Sequence, residues 1–231
     1  LPLLEAKSGL LVLSGPPRFG ISSSLAAIVE KINQNRAVHI LIMVDQIDFI
    51  YEPKKAKVSV RQLKKDMSNI EAGINFAKRM DVDVLVLGDL RRELPLKHIV
   101  DYVNGGHFVI MMLPTLGFQA TLEKMIYFFP EDDREYLCNV LSSDLLGICS
   151  QAYLHDSNQV IPIFEMLVMN PALKKIIVTG KVGQIEASVK SGTEGSFTFE
   201  MEISKLLREN KITKDAADGF LSWYKGANVK I

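Results

Sequence analysis

The stretch GPPRFGISSS, residues 15–24, carries the most specific chemical pattern in the chain. Gly15 and Gly20 bracket the loop, and Ser22 and Ser23 follow it, between the apolar run GLLVLS and the helix-like LAAIVEKI. A buried strand, a glycine-bounded loop and hydroxyls opening a helix is how backbone N–H groups surround a phosphate. The pattern G-x-x-x-x-G-K-[ST] places a lysine after the second glycine, where its ammonium offsets charge at the β/γ-phosphates. The hydroxyl that follows reaches Mg²⁺. This chain has Ile21 at the lysine position. An aliphatic side chain supplies no counter-charge, and one charge-assisted hydrogen bond is worth roughly 1.5–3 kcal/mol. Gly15, Pro16, Arg18, Gly20, Ser22 and Ser23 are thus the candidate residues of a degenerate nucleotide-binding loop. Three readings stand beside one another. The loop is a strand-to-helix turn that holds nothing, a weak nucleotide site using backbone and Arg18, or a working site in which Arg18 replaces the lysine.

The elements around the loop alternate. Apolar runs at Leu10–Ser14, His39–Val44, Val82–Leu87 and His107–Leu113 read as strands. Helical spacing predicts helices over Ser22–Asn35, Asp66–Met80 and the segment LKHIVDYV. Strands apolar on both faces, separated by helices, imply a parallel sheet covered on both sides. After Pro114, two helices are expected at Gly117–Phe129 and Asp132–Asp144, then an antiparallel pair at Leu145–Leu154 and Val160–Val168. Pro171 can start a short helix, and Ser204–Asn210 and Thr213–Tyr224 read as helices beyond a polar SGTEGS turn. The expected fold is an α/β nucleoside-triphosphatase-type domain over residues 1–180, with a small helical subdomain over 181–231.

Composition excludes several classes. Hydrophobic residues make up 48% and charged residues 23%, enough to bury a sizeable core. Lys+Arg and Asp+Glu each total 27, so no net field argues for nucleic acid or an anionic membrane. The longest apolar runs fall far short of the roughly 20 residues of a membrane span, and no secretory leader is visible. Cys138 and Cys149 are too few for a disulfide framework; a reducing cytoplasm and two small buried hydrophobes are expected. His39, His98 and His155 are isolated, so no metal is expected.

Read as a whole, the chain resembles the C-terminal RecA-like domain of the type II/type IV secretion ATPases, nearest the twitching-motility retraction motors. GLLVLSGPP…G…S…LAAIVEKIN is similar to the family's strand, phosphate loop and helix. HILIMVDQIDF lies where the family has its aspartate box, I-E-D-P-I-E-F, and MDVDVLVLGDLRR on the segment D-P-D-V-I-L-V-G-E-L-R-D. NGGHFVIMMLPT falls on the histidine box, FFPEDDREYLCNVLSSDLLGICSQ on the F-P…S-Q stretch, and NPALKKII on the helix A-I-R-N-L-I-R-E. The four-cysteine zinc site of many secretion-branch members has no counterpart.

The resemblance implies roles residue by residue. Arg18 stands where the family commonly has glycine. Val44 takes the place of the glutamate that polarises the attacking water, and a valine cannot accept a proton. Asp45 and Asp89 remain as remnants, Asp89 one methylene shorter than the family's glutamate; Arg91 matches the family arginine. His107 matches the first histidine of its box and Pro114 replaces the second. Losses on separate segments that converge on one phosphate imply a pseudo-ATPase, a structural or regulatory subunit of a type IV pilus or secretion apparatus. The alternative is an atypical motor that hydrolyses ATP with Mg²⁺. Expected partners are a motor ATPase of such a machine or further copies in a ring, with no nucleic acid and no insertion into the membrane. The expected location is cytoplasmic, beside an inner-membrane machine. Family rings use an N-terminal domain of one subunit to supply arginines to its neighbour. The loop comes so early after Leu1 that a trimmed or naturally short chain is expected.

Overall fold

The computed structural model describes residues 2–90, 95–157 and 159–228. Its centre is β1 (Gly9–Ser14), buried at every position and followed by the loop and α1 (Ile21–Asn35). Next come β2 (His39–Val44), β3 (Lys57–Gln62), α2 (Ile70–Arg79), β4 (Val84–Leu87), α3 (Leu96–Asn104) and β5 (Phe108–Leu113). Then follow α4 (Phe118–Phe128), α5 (Arg134–Asp144) and the long hairpin of β6 (Leu145–Asp156) and β7 (Gln159–Val168). The chain closes with α6 (Pro171–Val178), α7 (Ile185–Lys190), α8 (Phe199–Arg208) and α9 (Lys214–Asn228). The strands form one sheet in the order β3-β2-β4-β5-β1-β6-β7, parallel except for β7.

Alternation along the strands divides the core. Leu10, Val12, Leu41, Met43, Leu85 and Leu87 face the side covered by α2 to α7. Their neighbours Leu11, Leu13, Ile40, Ile42, Val84 and Val86 face the other side, where α1 lays down Ile21, Leu25, Val29 and Ile32. A third cluster joins Ala152, Leu154 and Ile163 of the hairpin to Phe199 and Ile203 of α8 and Phe220 of α9. Val182, Ile185 and Val189 pack in the large core with the sheet. Both thiols sit among apolar groups, and burial pushes that of Cys149 up to about 11.

Local signals explain most boundaries. Asn69, Asn170 and Thr198 accept N–H bonds from Ala72, Leu173 and Met201, capping α2, α6 and α8. The caps shift α2 to a later start than its periodicity predicts and α8 to an earlier one. The strand β3, absent from the sequence expectations, is an edge strand whose segment KVSVRQ is only partly buried. A long irregular connection reaches it from β2, pinned by buried Asn33 of α1. Asn33 Nδ2 donates to the Glu52 carbonyl at 2.8 Å, and its Oδ1 accepts the Lys54 N–H at 3.2 Å.

Glu165 on β7 ties the third cluster to the rest. Its carboxylate is 2% exposed and accepts the first N–H groups of α4 (Phe118, 2.7 Å) and α8 (Phe199, 3.2 Å). The Tyr224 hydroxyl of α9 donates to it at 3.4 Å. Burial nevertheless raises its pKa from 4.5 to about 7, with Glu186 adding in the same direction. A pKa raised on folding favours the folded protein where the carboxyl is protonated, and that contribution is lost as pH rises from about 4.5 through 7. Urea titrations should therefore show a pH-dependent component on the order of 3 kcal/mol across this window, absent from Glu165→Gln.

Candidate functional site

The carboxyl ends of the parallel strands form the edge where open α/β sheets place their ligands. Gly15 follows β1, Asp45 follows β2, Asp89 follows β4 and Pro114 follows β5. The register sets this: Ser14 lies opposite Leu113 and Ser150, and the Gly15 N–H donates to the Leu113 carbonyl at 3.2 Å.

The loop turns tightly. Gly20 has φ 78° and Arg18 has φ 72°, both left-handed, so Arg18 adopts a backbone shape that glycine takes freely. A Cβ on Gly20 would overlap the Tyr153 hydroxyl; one on Gly15 would overlap Ile21 Cδ1 and stand 2.5 Å from the Gln151 carbonyl. Gln151, 6% exposed, pins the loop from β6. Its Nε2 donates to the Phe19 carbonyl at 2.8 Å, and its Oε1 accepts the Ser24 hydroxyl at 2.5 Å. Behind it the hydroxyls of Ser14 and Ser150 are bonded to each other.

Each substituted position faces this edge with carbon. Ile21 is 6% exposed, packs in the core beside α1 and folds back over Gly15. Val44 points at Gly88, where an added Cβ would lie 2.6 Å from its Cγ1. Ser22, Val44, Asp48 and Asp89 line one small cavity of about 40 Å³, walled mainly by apolar residues such as Leu25, Ile42 and Met112. Such a space holds a water or two, against the roughly 300–1,000 Å³ typical of ligand clefts. Ile47 and Phe49 from the connection after β2 also line it and remain partly open to solvent. The Asp45 carbonyl accepts Gln62 Nε2 at 3.0 Å, fastening the end of β2 to the end of β3. Pro16 is partly exposed, and Arg18 and Ser23 are exposed.

His107 does not join these residues. It precedes β5, at the amino edge of the sheet, whereas the loop follows β1 at the carboxyl edge; six residues of strand separate the two edges, about 20 Å. Its ring stacks on Tyr102 at 4.0 Å, and burial and Lys78 lower its pKa. Arg91 lies outside the described residues. Among the described residues no group of three or more His, Cys, Asp or Glu could hold a metal ion, and no helix is long and apolar enough to cross a membrane.

The sequence reading assigned no role to Phe19, Tyr153 and Trp223. Phe19 stacks between the other two rings, at 5.8 Å from Tyr153 and 5.7 Å from Trp223. Nothing local in the sequence relates β6 to α9, so only the fold could reveal the triplet.

Comparison with known proteins gives a consistent picture. A family model described as type II/IV secretion system protein matches residues 1–215. A twitching motility protein of Neisseria gonorrhoeae is 29% identical over 218 residues, 93% of this chain and 58% of the relative. The type IV pilus retractation ATPase PilT of Pseudomonas aeruginosa is 26% identical over 215 residues, 92% of this chain and 62% of the relative. The crystal structure of the pilus retraction motor PilT with bound ADP has 27% identity and a TM-score of 0.85, covering 93% of this chain and 62% of that one. The Legionella pneumophila ATPase DotB, at 17% identity and a TM-score of 0.85, shares the fold. The chain thus spans about three-fifths of the length of these relatives.

Removing the Gln151 amide should free the loop without unfolding the sheet. Gln151→Ala is expected to cost roughly 1–3 kcal/mol in urea denaturation. It should also speed tryptic cleavage after Arg18 relative to the parent protein.

Proposed function

The chain belongs to the type II/IV secretion system protein family, and from that premise we propose that it is a pseudo-ATPase. In this reading it is a relative of the pilus retraction and secretion motor ATPases that keeps their fold as a structural or regulatory subunit. The observation that carries it is the Ile21 side chain, buried over Gly15 where the loop pattern has a lysine. Triphosphate charge at that loop would meet aliphatic carbon, and a charged group left without partner or solvent is strongly disfavoured. Val44, turned toward Gly88, offers no proton acceptor for an attacking water. The residues present therefore do not fit Mg²⁺–triphosphate, and no hydrolytic step is assigned. What the fold offers instead is surface for protein contacts, with a motor ATPase or further copies of this chain as partners, at the cytoplasmic side of such a machine.

One observation favours a second reading. Ser22 and Asp89 still line the same cavity, the pair through which an atypical motor would hold a metal-bound water. The two readings separate by binding. A fluorescent ATP analogue with Mg²⁺ should show no saturable binding up to roughly 100 μM. Micromolar affinity abolished by Arg18→Ala would establish the second reading. Ile21→Lys alone should produce no phosphate release, because Val44 remains; turnover in that single variant would refute the role given to Val44.

A further inference from the structure

Three helices far apart in the chain meet at the Glu165 carboxyl group. The Phe118 N–H that opens α4 holds one oxygen, while the Phe199 N–H that opens α8 and the Tyr224 hydroxyl of α9 share the other. Gly117 closes a further side: a Cβ there would stand 3.2 Å from Glu165 Oε1 and 2.8 Å from the Tyr224 hydroxyl. Among the described residues no lysine or arginine pairs with the carboxyl. The two C-terminal helices also have a core of their own. Phe199 and Ile203 of α8 and Phe220 of α9 pack on Leu154 and Ile163 of the hairpin, apart from the two larger clusters on the faces of the sheet. Just before α8, the chain is tied to β7 by the bridge between Phe197 and Met166. A unit held in this way can part from the hairpin without breaching either larger core.

We propose that Glu165 is a proton-operated latch on the unit formed by α8 and α9, which stays closed on the hairpin while the carboxyl holds its proton and opens more often once the proton is lost. The reason is solvation. In the closed junction a carboxylate is cut off from water, with two N–H groups and one hydroxyl to offset its charge, and opening returns it to water. Burial raises its pKa from 4.5 to about 7, so ionisation and opening reinforce each other between those values. Glu186 of α7 acts in the same direction by repelling the carboxylate. Lys190 of α7 pairs at 2.7 Å with both Glu186 and Glu200 of α8, and Lys225 of α9 stands 3.9 Å from Glu200. From β6, Ser150 lies opposite Glu165, and the preceding Cys149 keeps its proton, its thiol being pushed up to about 11. From α4 come the backbone N–H of Phe118 and the side-chain-free Gly117. The latch does not rest on the pseudo-ATPase reading.

Hydrogen exchange of the whole chain, followed amide by amide and divided by the intrinsic rate at each pH, tests the latch. The amides of α8 and α9 should share one opening constant, at least roughly tenfold above that of β1 and β5, because the unit opens while the sheet stays closed. That constant should rise at least roughly tenfold between about pH 5 and about pH 8. In Glu165→Gln, whose side chain cannot ionise, the rise should disappear. Should that variant fail to fold, carbon-13 NMR of the Glu165 carboxyl in the parent protein takes its place, and the carboxyl should titrate over the same pH interval as the opening constant. A smaller rise, a rise that survives in Glu165→Gln, or a carboxyl that titrates wholly below about pH 5 would overturn the proposal. So would exchange of α8 and α9 only together with β1 and β5, which would reduce Glu165 to a contributor to global stability.

Discussion

Everything at the carboxyl edge depends on one backbone constraint. The chain must leave a strand buried at every position and enter a buried helix within the span of the Gly15–Gly20 turn. Side chains are excluded at both ends of that turn, by Ile21 and Gln151 at Gly15 and by Tyr153 at Gly20. Gln151 then holds the turn from the neighbouring strand by two hydrogen bonds. The geometry that would encircle a phosphate is thus enforced by packing together with these two hydrogen bonds. The shape persists while Ile21 fills the position from which a cation would act.

Much of the fold was legible because buried parallel strands are written as unbroken apolar runs. HILIMV marks β2 at both its ends, and the hairpin of β6 and β7 follows two long apolar-rich segments. The strand β3 escaped because an edge strand is half solvated, so KVSVRQ carries charge on a segment that pairs on only one side. The helix α8 was read as starting late because Phe199 adjoins a polar turn, and its beginning is fixed by the Thr198 cap and Glu165 rather than by periodicity. Glu165 itself gave no local signal: a carboxylate in an apolar strand is meaningful only once two helix N-termini are seen to meet it.

The site divides along similar lines. The loop residues and Ile21 could be found from the loop pattern, and Val44 and Pro114 from the resemblance to the family's boxes; Val44 ends β2 and Pro114 follows β5. Their meeting at one edge follows from the parallel register. His107 was recognisable by type and sits at the start of the right strand, yet a strand has two ends, and His107 lies at the one facing away from the loop. The aromatic stack belongs to the class that one-dimensional reading misses, since Phe19, Tyr153 and Trp223 come from three distant segments.

The two margins of the sheet are treated differently from its middle. Beyond β7 the backbone of Phe197 exchanges hydrogen bonds with Met166 at 2.8 Å in each direction, a single bridge that occupies part of the outer ladder. At the opposite margin β3 presents Lys57 and Arg61. Charge on one border and a clasp on the other are the means by which sheets resist pairing with foreign strands. Addition of a foreign strand is thereby discouraged at both margins.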